Sequence, residues 1–168
     1  MDNASPKSKW ASWKLVALVI ILLAVFLKFY VFKERDENAT VVVEMDLEKV
    51  AMRNQQEVEA VLGKGKLDSY YSDEKASCEK CPKMTYKEGK IQIIFIDEIA
   101  DRITINNLSD FEFEDRVILG LLGMKDHIKP VIDNNDLKQW DNYQKYSQIS
   151  AFGKGGKLDY ILVKTRTL

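Results

Sequence analysis

Cys78-Glu79-Lys80-Cys81 is the sharpest chemical motif in the sequence, and three readings compete for it. A redox dithiol needs its first cysteine at a helix N-terminus, where the backbone dipole lowers the thiol pKa. Here Pro82 and a strand pattern from Met84 follow, with no apolar helical stripe behind the motif. A zinc site needs four ligands, yet the chain has one histidine, His127, and no second Cys-x-x-Cys. A structural disulfide needs only an oxidising compartment, and it closes so short a loop that its effect is local. The disulfide leads, a thiol-disulfide redox protein using Cys78 and Cys81 is the runner-up, and a zinc-dependent assembly is the third.

The remaining candidates are weaker. His127 lies in Lys125-Asp126-His127-Ile128-Lys129-Pro130, a loop after a helix end, with no serine or cysteine nucleophile motif beside it. Gly153-Lys154-Gly155-Gly156-Lys157 lacks the spacing of a phosphate-binding loop and lies between two strand patterns, so it reads as a hairpin turn. The acidic residues form no paired motif at helical spacing. The expectation is therefore no enzyme, no catalytic residue, no metal and no cofactor. Loop aromatics often anchor binding surfaces. Tyr70 and Tyr71, in a polar stretch, are the surface-binding candidates, whereas Trp140 and Tyr146 suit a sheet core.

The elements that must position these residues begin with a charge asymmetry. Residues 1–33 carry five lysines against Asp2, a net +4, which leaves −5 on residues 34–168 of a chain whose formal charge is −1. An acidic folded part argues against nucleic acid as a partner, since that affinity comes mostly from phosphate neutralisation. From residue 15 to residue 32 the only charge is Lys28. About twenty apolar residues span a bilayer core of roughly 30 Å, Lys28 can snorkel, and Trp10, Trp13 and Tyr30 flank the run as interfacial aromatics do. No small-x-small cleavage site follows. The reading is a basic tail at 1–14, an uncleaved single-pass transmembrane helix at 15–32, a juxtamembrane linker at 33–44 and a folded domain at 45–168. The flanking lysines and arginines nearly tie. The short N-terminal tail and the acids Glu34, Asp36 and Glu37 favour a cytoplasmic N-terminus and an extracytoplasmic domain.

Within the domain, Asp46 precedes a short helical pattern of Leu47, Val50 and Ala51. Asn54-Gln55-Gln56-Glu57 is a capping box before a helix carrying Val58, Val61 and Leu62 and stopping at Gly63. Residues 64–82 read as a polar loop. Strand periodicity follows at 84–86, 91–96 and 102–105. A second capping box, Ser109-Asp110-Phe111-Glu112, precedes a stripe of Phe113, Val117, Ile118, Leu121 and Leu122 that ends at Gly123, with strands after it. Helix residues match at an offset of sixty, and Ala100-Asp101-Arg102-Ile103 matches Leu158-Asp159-Tyr160-Ile161 at nearly that offset. The expected fold is α+β: two helix–loop–three-strand units, at about 45–107 and 108–166, forming one antiparallel sheet with helices on one face.

This plan resembles the SmpA/OmlA outer-membrane assembly lipoproteins and the β-lactamase-inhibitor proteins, which carry the unit in tandem. The residues that carry the resemblance are Asn54-Gln55-Gln56-Glu57-Val58-Glu59-Ala60-Val61-Leu62-Gly63, then Tyr86 leading into Ile91-Gln92-Ile93-Ile94-Phe95-Ile96, and Arg102-Ile103-Thr104-Ile105. The chain departs from the lipoproteins in lacking a lipid-bearing cysteine after its apolar run. The resemblance implies non-enzymatic binding of an envelope or secreted protein through an open sheet face and loops.

Overall fold

Two units divide the chain, Met1–Thr40 and Val41–Leu168, and the computed structural model describes residues 17–23, 25, 42–74, 78–125 and 128–165. In the first unit residues 17–23 and 25 are helical, and Leu18, Val19, Ile20, Ile21, Leu22 and Leu23 are exposed. The transmembrane helix expected at 15–32 is not found. Among the described residues no helix is long and apolar enough to cross a membrane. Residues 15, 16, 24 and 26–32 lie outside the described residues.

The second unit holds β1 (Lys66–Asp73), β2 (Cys78–Tyr86), β3 (Ile91–Ile96) and β4 (Ile99–Ile105), then β5 (Ile132–Asp133), β6 (Leu137–Tyr143), β7 (Tyr146–Lys154) and β8 (Lys157–Thr165). They form one antiparallel sheet in the order β1-β2-β3-β4-β8-β7-β6-β5. Three short α-helices, α1 (Leu47–Val50), α2 (Gln55–Leu62) and α3 (Asp115–Leu121), and a 3-10 turn at Lys87–Gly89 accompany it among the described residues. The protein is thus mainly β, which corrects the α+β expectation of a spanning helix followed by two three-strand units. The half before α3 contributes four strands because residues 66–73 and 78–82, read as loop, are β1 and the start of β2. An edge strand whose side chains are nearly all exposed has no buried phase, so β1 shows no alternation to read.

Alternation is clear in the central strands. Met84, Ile93, Ile103, Val163, Ile149 and Trp140 are successive cross-strand partners from β2 to β6, and all are buried. Leu47, Val50 and Ala51 around α1, Val58 of α2, and Ile118, Leu119 and Leu121 of α3 join the same core. The capping box of α2 forms: Glu57 N donates to Asn54 Oδ1 at 3.0 Å and Asn54 N to Glu57 Oε2 at 3.1 Å. The second capping box does not. Glu112 is drawn into a bridge with Lys157, Phe113 N donates to Gly156 O, and α3 begins only at Asp115.

The β3–β4 and β7–β8 hairpins are built alike. Asp97 and Glu98 turn the first with φ of 50° and 65°, and Gly155 and Gly156 turn the second with φ of 60° and 79°. Positive φ at both central residues matches the twist of a two-residue hairpin. Each turn is followed by a bulge. Ile94 pairs with Arg102 and Phe95 with Ala100, so Asp101 is the extra residue; Phe152 pairs with Tyr160 and Gly153 with Leu158, so Asp159 is its counterpart.

Candidate functional site

Direct cross-strand partners point to the same face of an antiparallel sheet, so the register defines what lies opposite the helix-covered core. An unbroken row crosses all eight strands: Lys66, Thr85, Gln92, Thr104, Leu162, Ser150, Gln139 and Ile132. The neighbouring row runs through Ser69, Lys83, Ile94, Arg102, Lys164, Gln148 and Asp141. Of its central members, Lys83, Ile94, Arg102 and Gln148 are half-buried and Lys164 is exposed. The buried residues of α1, α2 and α3 all belong to the core on the other face. This face is thus the one opposite α1, α2 and α3.

Phe152 and Tyr160 mark one corner, cross-strand partners whose rings stack with centroids 4.5 Å apart. The opposite corner holds the Cys78–Cys81 disulfide, buried with Ile96 against Tyr71 and Ile94. Both cysteines lie within β2, not at a helix N-terminus, and their residues are only 4% and 8% exposed. In the disulfide neither sulfur is a thiolate, the form that ligates zinc. Among the described residues no group of three or more histidine, cysteine, aspartate or glutamate side chains is placed to hold a metal ion.

Tyr71 and Tyr70 take opposite phases of β1. Tyr71 pairs with Cys81 and packs on the disulfide cluster, and its hydroxyl donates to Asp73 Oδ2 at 3.1 Å. Burial, with the Asp73 carboxylate beside it, pushes the Tyr71 phenol above its ordinary pKa. Tyr70 is 54% exposed, with the Lys80 ammonium 4.5 Å from its ring centroid. The structure thus gathers Tyr71, Cys78 and Cys81 at one corner of the open face and turns Tyr70 away. His127 lies outside the described residues. Trp140 and Tyr146 are buried in the core, the indole of Trp140 donating to Ile128 O at 2.8 Å.

At the centre of the face stand residues that belong to no sequence motif. Arg102 and Lys164 are direct partners, followed along the strands by Thr104 and Leu162. Arg102 forms an ion pair with Asp101, which is fully buried and accepts the Thr165 hydroxyl at 2.8 Å. The signal was present in the alternation Arg102-Ile103-Thr104-Ile105, whose polar phase names the open face.

A cavity of about 720 Å³ beside the β5–β6 and β7–β8 turns is lined by Phe113, Asp133, Asn134, Asp136 and Lys138 among others. Lys138 Nζ bridges Asp115 at 2.8 Å and Asp133 at 2.7 Å. Burial, which lowers its pKa, is outweighed by the two carboxylates, so the pKa ends above the ordinary lysine value. A lysine held as ammonium is neither nucleophile nor base at neutral pH. Comparisons with protein families, curated proteins and solved structures find no match.

Proposed function

We propose that this chain is a protein-binding module of the bacterial cell envelope, extracytoplasmic and held at the membrane by its apolar N-terminal run, that works by contact and not by catalysis. The observation that carries the reading is the open sheet face. It spans eight strands, mixes aliphatic, aromatic, amide and cationic side chains, and lies opposite the core that α1, α2 and α3 cover. Binding surfaces combine apolar anchors with hydrogen-bonding groups in this way. The disulfide supports an oxidising compartment, and the basic, apolar end of the sequence supports attachment to a membrane. The rival thiol-disulfide reading needs a reachable sulfur, whereas both cysteines are buried.

A photo-reactive amino acid placed at Thr104 in the full chain, in cells, tests the reading. One discrete protein adduct at Thr104, and none from the same group at Gln56 on α2, is the expected result. Adducts at Gln56 alone, or none at any position on the open face, contradict it.

A further inference from the structure

The centre of the open face contains an arrangement that works against stability. Arg102 and Lys164 lie side by side across the β4·β8 junction, and Lys83 follows on the same row beyond Ile94. Like charges directly opposite one another in a ladder repel. The arrangement is held in place nonetheless. The bulge at Asp101 brings a fully buried carboxylate under Arg102, and Thr165 fixes that carboxylate from the next strand. A guanidinium has five N–H donors, so one contact with Asp101 anchors Arg102 while leaving donors for a second acceptor.

The charge of this face also opposes that of the region bearing it. Lys66, Lys83, Arg102 and Lys164 stand in its two rows against Asp141 at the far side, with Asp68 3.4 Å from Lys83 and Asp101 paired to Arg102, which leaves one net positive charge among these seven residues. Residues 34–168 as a whole carry −5. A face with a small net positive charge on a domain that is otherwise acidic favours a partner of limited, complementary charge, while the acidic remainder repels extended polyanions.

We infer that the centre of this face docks an acidic partner protein, whose carboxylates lie along Lys83, Arg102 and Lys164 and whose apolar side chains rest on Ile94 and Leu162. The inference rests on the protein-binding reading above and adds the chemistry of the partner. The amides and hydroxyls between the cations, at Gln92, Thr104 and Gln148, suit the polar groups of a polypeptide surface.

The test uses the full chain in detergent and two labelled peptides, one alternating glutamate with leucine and one alternating lysine with leucine. Fluorescence anisotropy reads affinity, and carbodiimide coupling of peptide carboxylates to lysine amines reads position. The glutamate peptide is expected to bind, to couple at Lys164 and Lys83, and to bind Lys164→Glu about tenfold more weakly. Lys164→Gln, which deletes the charge without inserting an acid, is expected to fall between the two. Preference for the lysine peptide, coupling only at lysines off this face, or equal affinity for Lys164→Glu overturns the inference. So does binding to phosphatidylglycerol vesicles that displaces the glutamate peptide. A basic protein segment captured at Thr104 would overturn the acidic partner and leave the binding face standing. No capture there removes both.

Discussion

Ile103 and Val163, sixty residues apart, face each other across the β4·β8 junction, and the pairs Arg102–Lys164 and Thr104–Leu162 flank them symmetrically. The two four-strand halves therefore meet about a local two-fold at this pair. Both side chains are buried in the helix-covered core, so the joint between the halves is also its apolar centre. Truncating Ile103 to alanine is expected to cost about 2–5 kcal/mol, read by urea unfolding. A loss under about 1 kcal/mol would mean that the halves are held together elsewhere.

The open side of the same junction has the opposite energetics. Replacing Lys164 by glutamate turns a repulsive cross-strand pair with Arg102 into an attractive one, and is expected to stabilise the fold by about 0.2–1 kcal/mol. Thermal unfolding at low and high salt checks this, with the gain shrinking as salt rises. A destabilised variant would show that Lys164 serves the fold.

Tyr86 is buried and its hydroxyl has no hydrogen-bond partner among the described residues. Burial, aided by the charge of Glu59, pushes its pKa up to about 12. A raised folded-state pKa contributes stability below the ordinary value of about 10, lost as pH rises through the folded-state value. Stability is therefore expected to fall between pH 10 and about 12, and the fall should be shallower in Tyr86→Phe. Because the orphaned hydroxyl costs free energy to bury, Tyr86→Phe should be neutral or stabilising by about 1 kcal/mol at pH 7.

Two glycines lie against aromatic rings. A Cβ at Gly65 would sit 2.6 Å from the Tyr86 ring, and one at Gly153 would sit 2.6 Å from the Phe113 ring. Gly65→Ala and Gly153→Ala are each expected to destabilise by about 1–3 kcal/mol, measured by denaturant unfolding.

The Cys78–Cys81 bond closes a loop with a sequence separation of 3. Loop closure that short is worth about 2 kcal/mol, confined to the hairpin that holds it. Reduction should speed hydrogen exchange in β1 and β2 and leave the β4·β8 junction protected. Exchange spreading to β8 would make the bond a global staple.

How much of this was legible depended on whether local chemistry and long-range pairing agreed. Asn54 and Glu57 sit three residues apart and satisfy each other's backbone, so that helix start was readable without a third partner. Ser109-Asp110-Phe111-Glu112 has the same spelling, but Lys157 is 2.6 Å from Glu112 and recruits it into a bridge. No window around residue 110 contains Lys157. β1 escaped because an edge strand reveals itself by pairing and not by burial. The open face was hidden in plain alternation. Arg102 and Thr104 read as the solvent phase of a strand, and only the register places Lys164 beside Arg102.

Thiol labelling of Thr104→Cys reads whether a partner covers the open face in its native setting. Labelling rates are compared between native membranes and the purified full chain, with Gln56→Cys on α2 as the reference. Labelling at position 104 is expected to be about tenfold slower in the native setting, with the rate at position 56 unchanged. Equal rates at position 104 in both settings would contradict it.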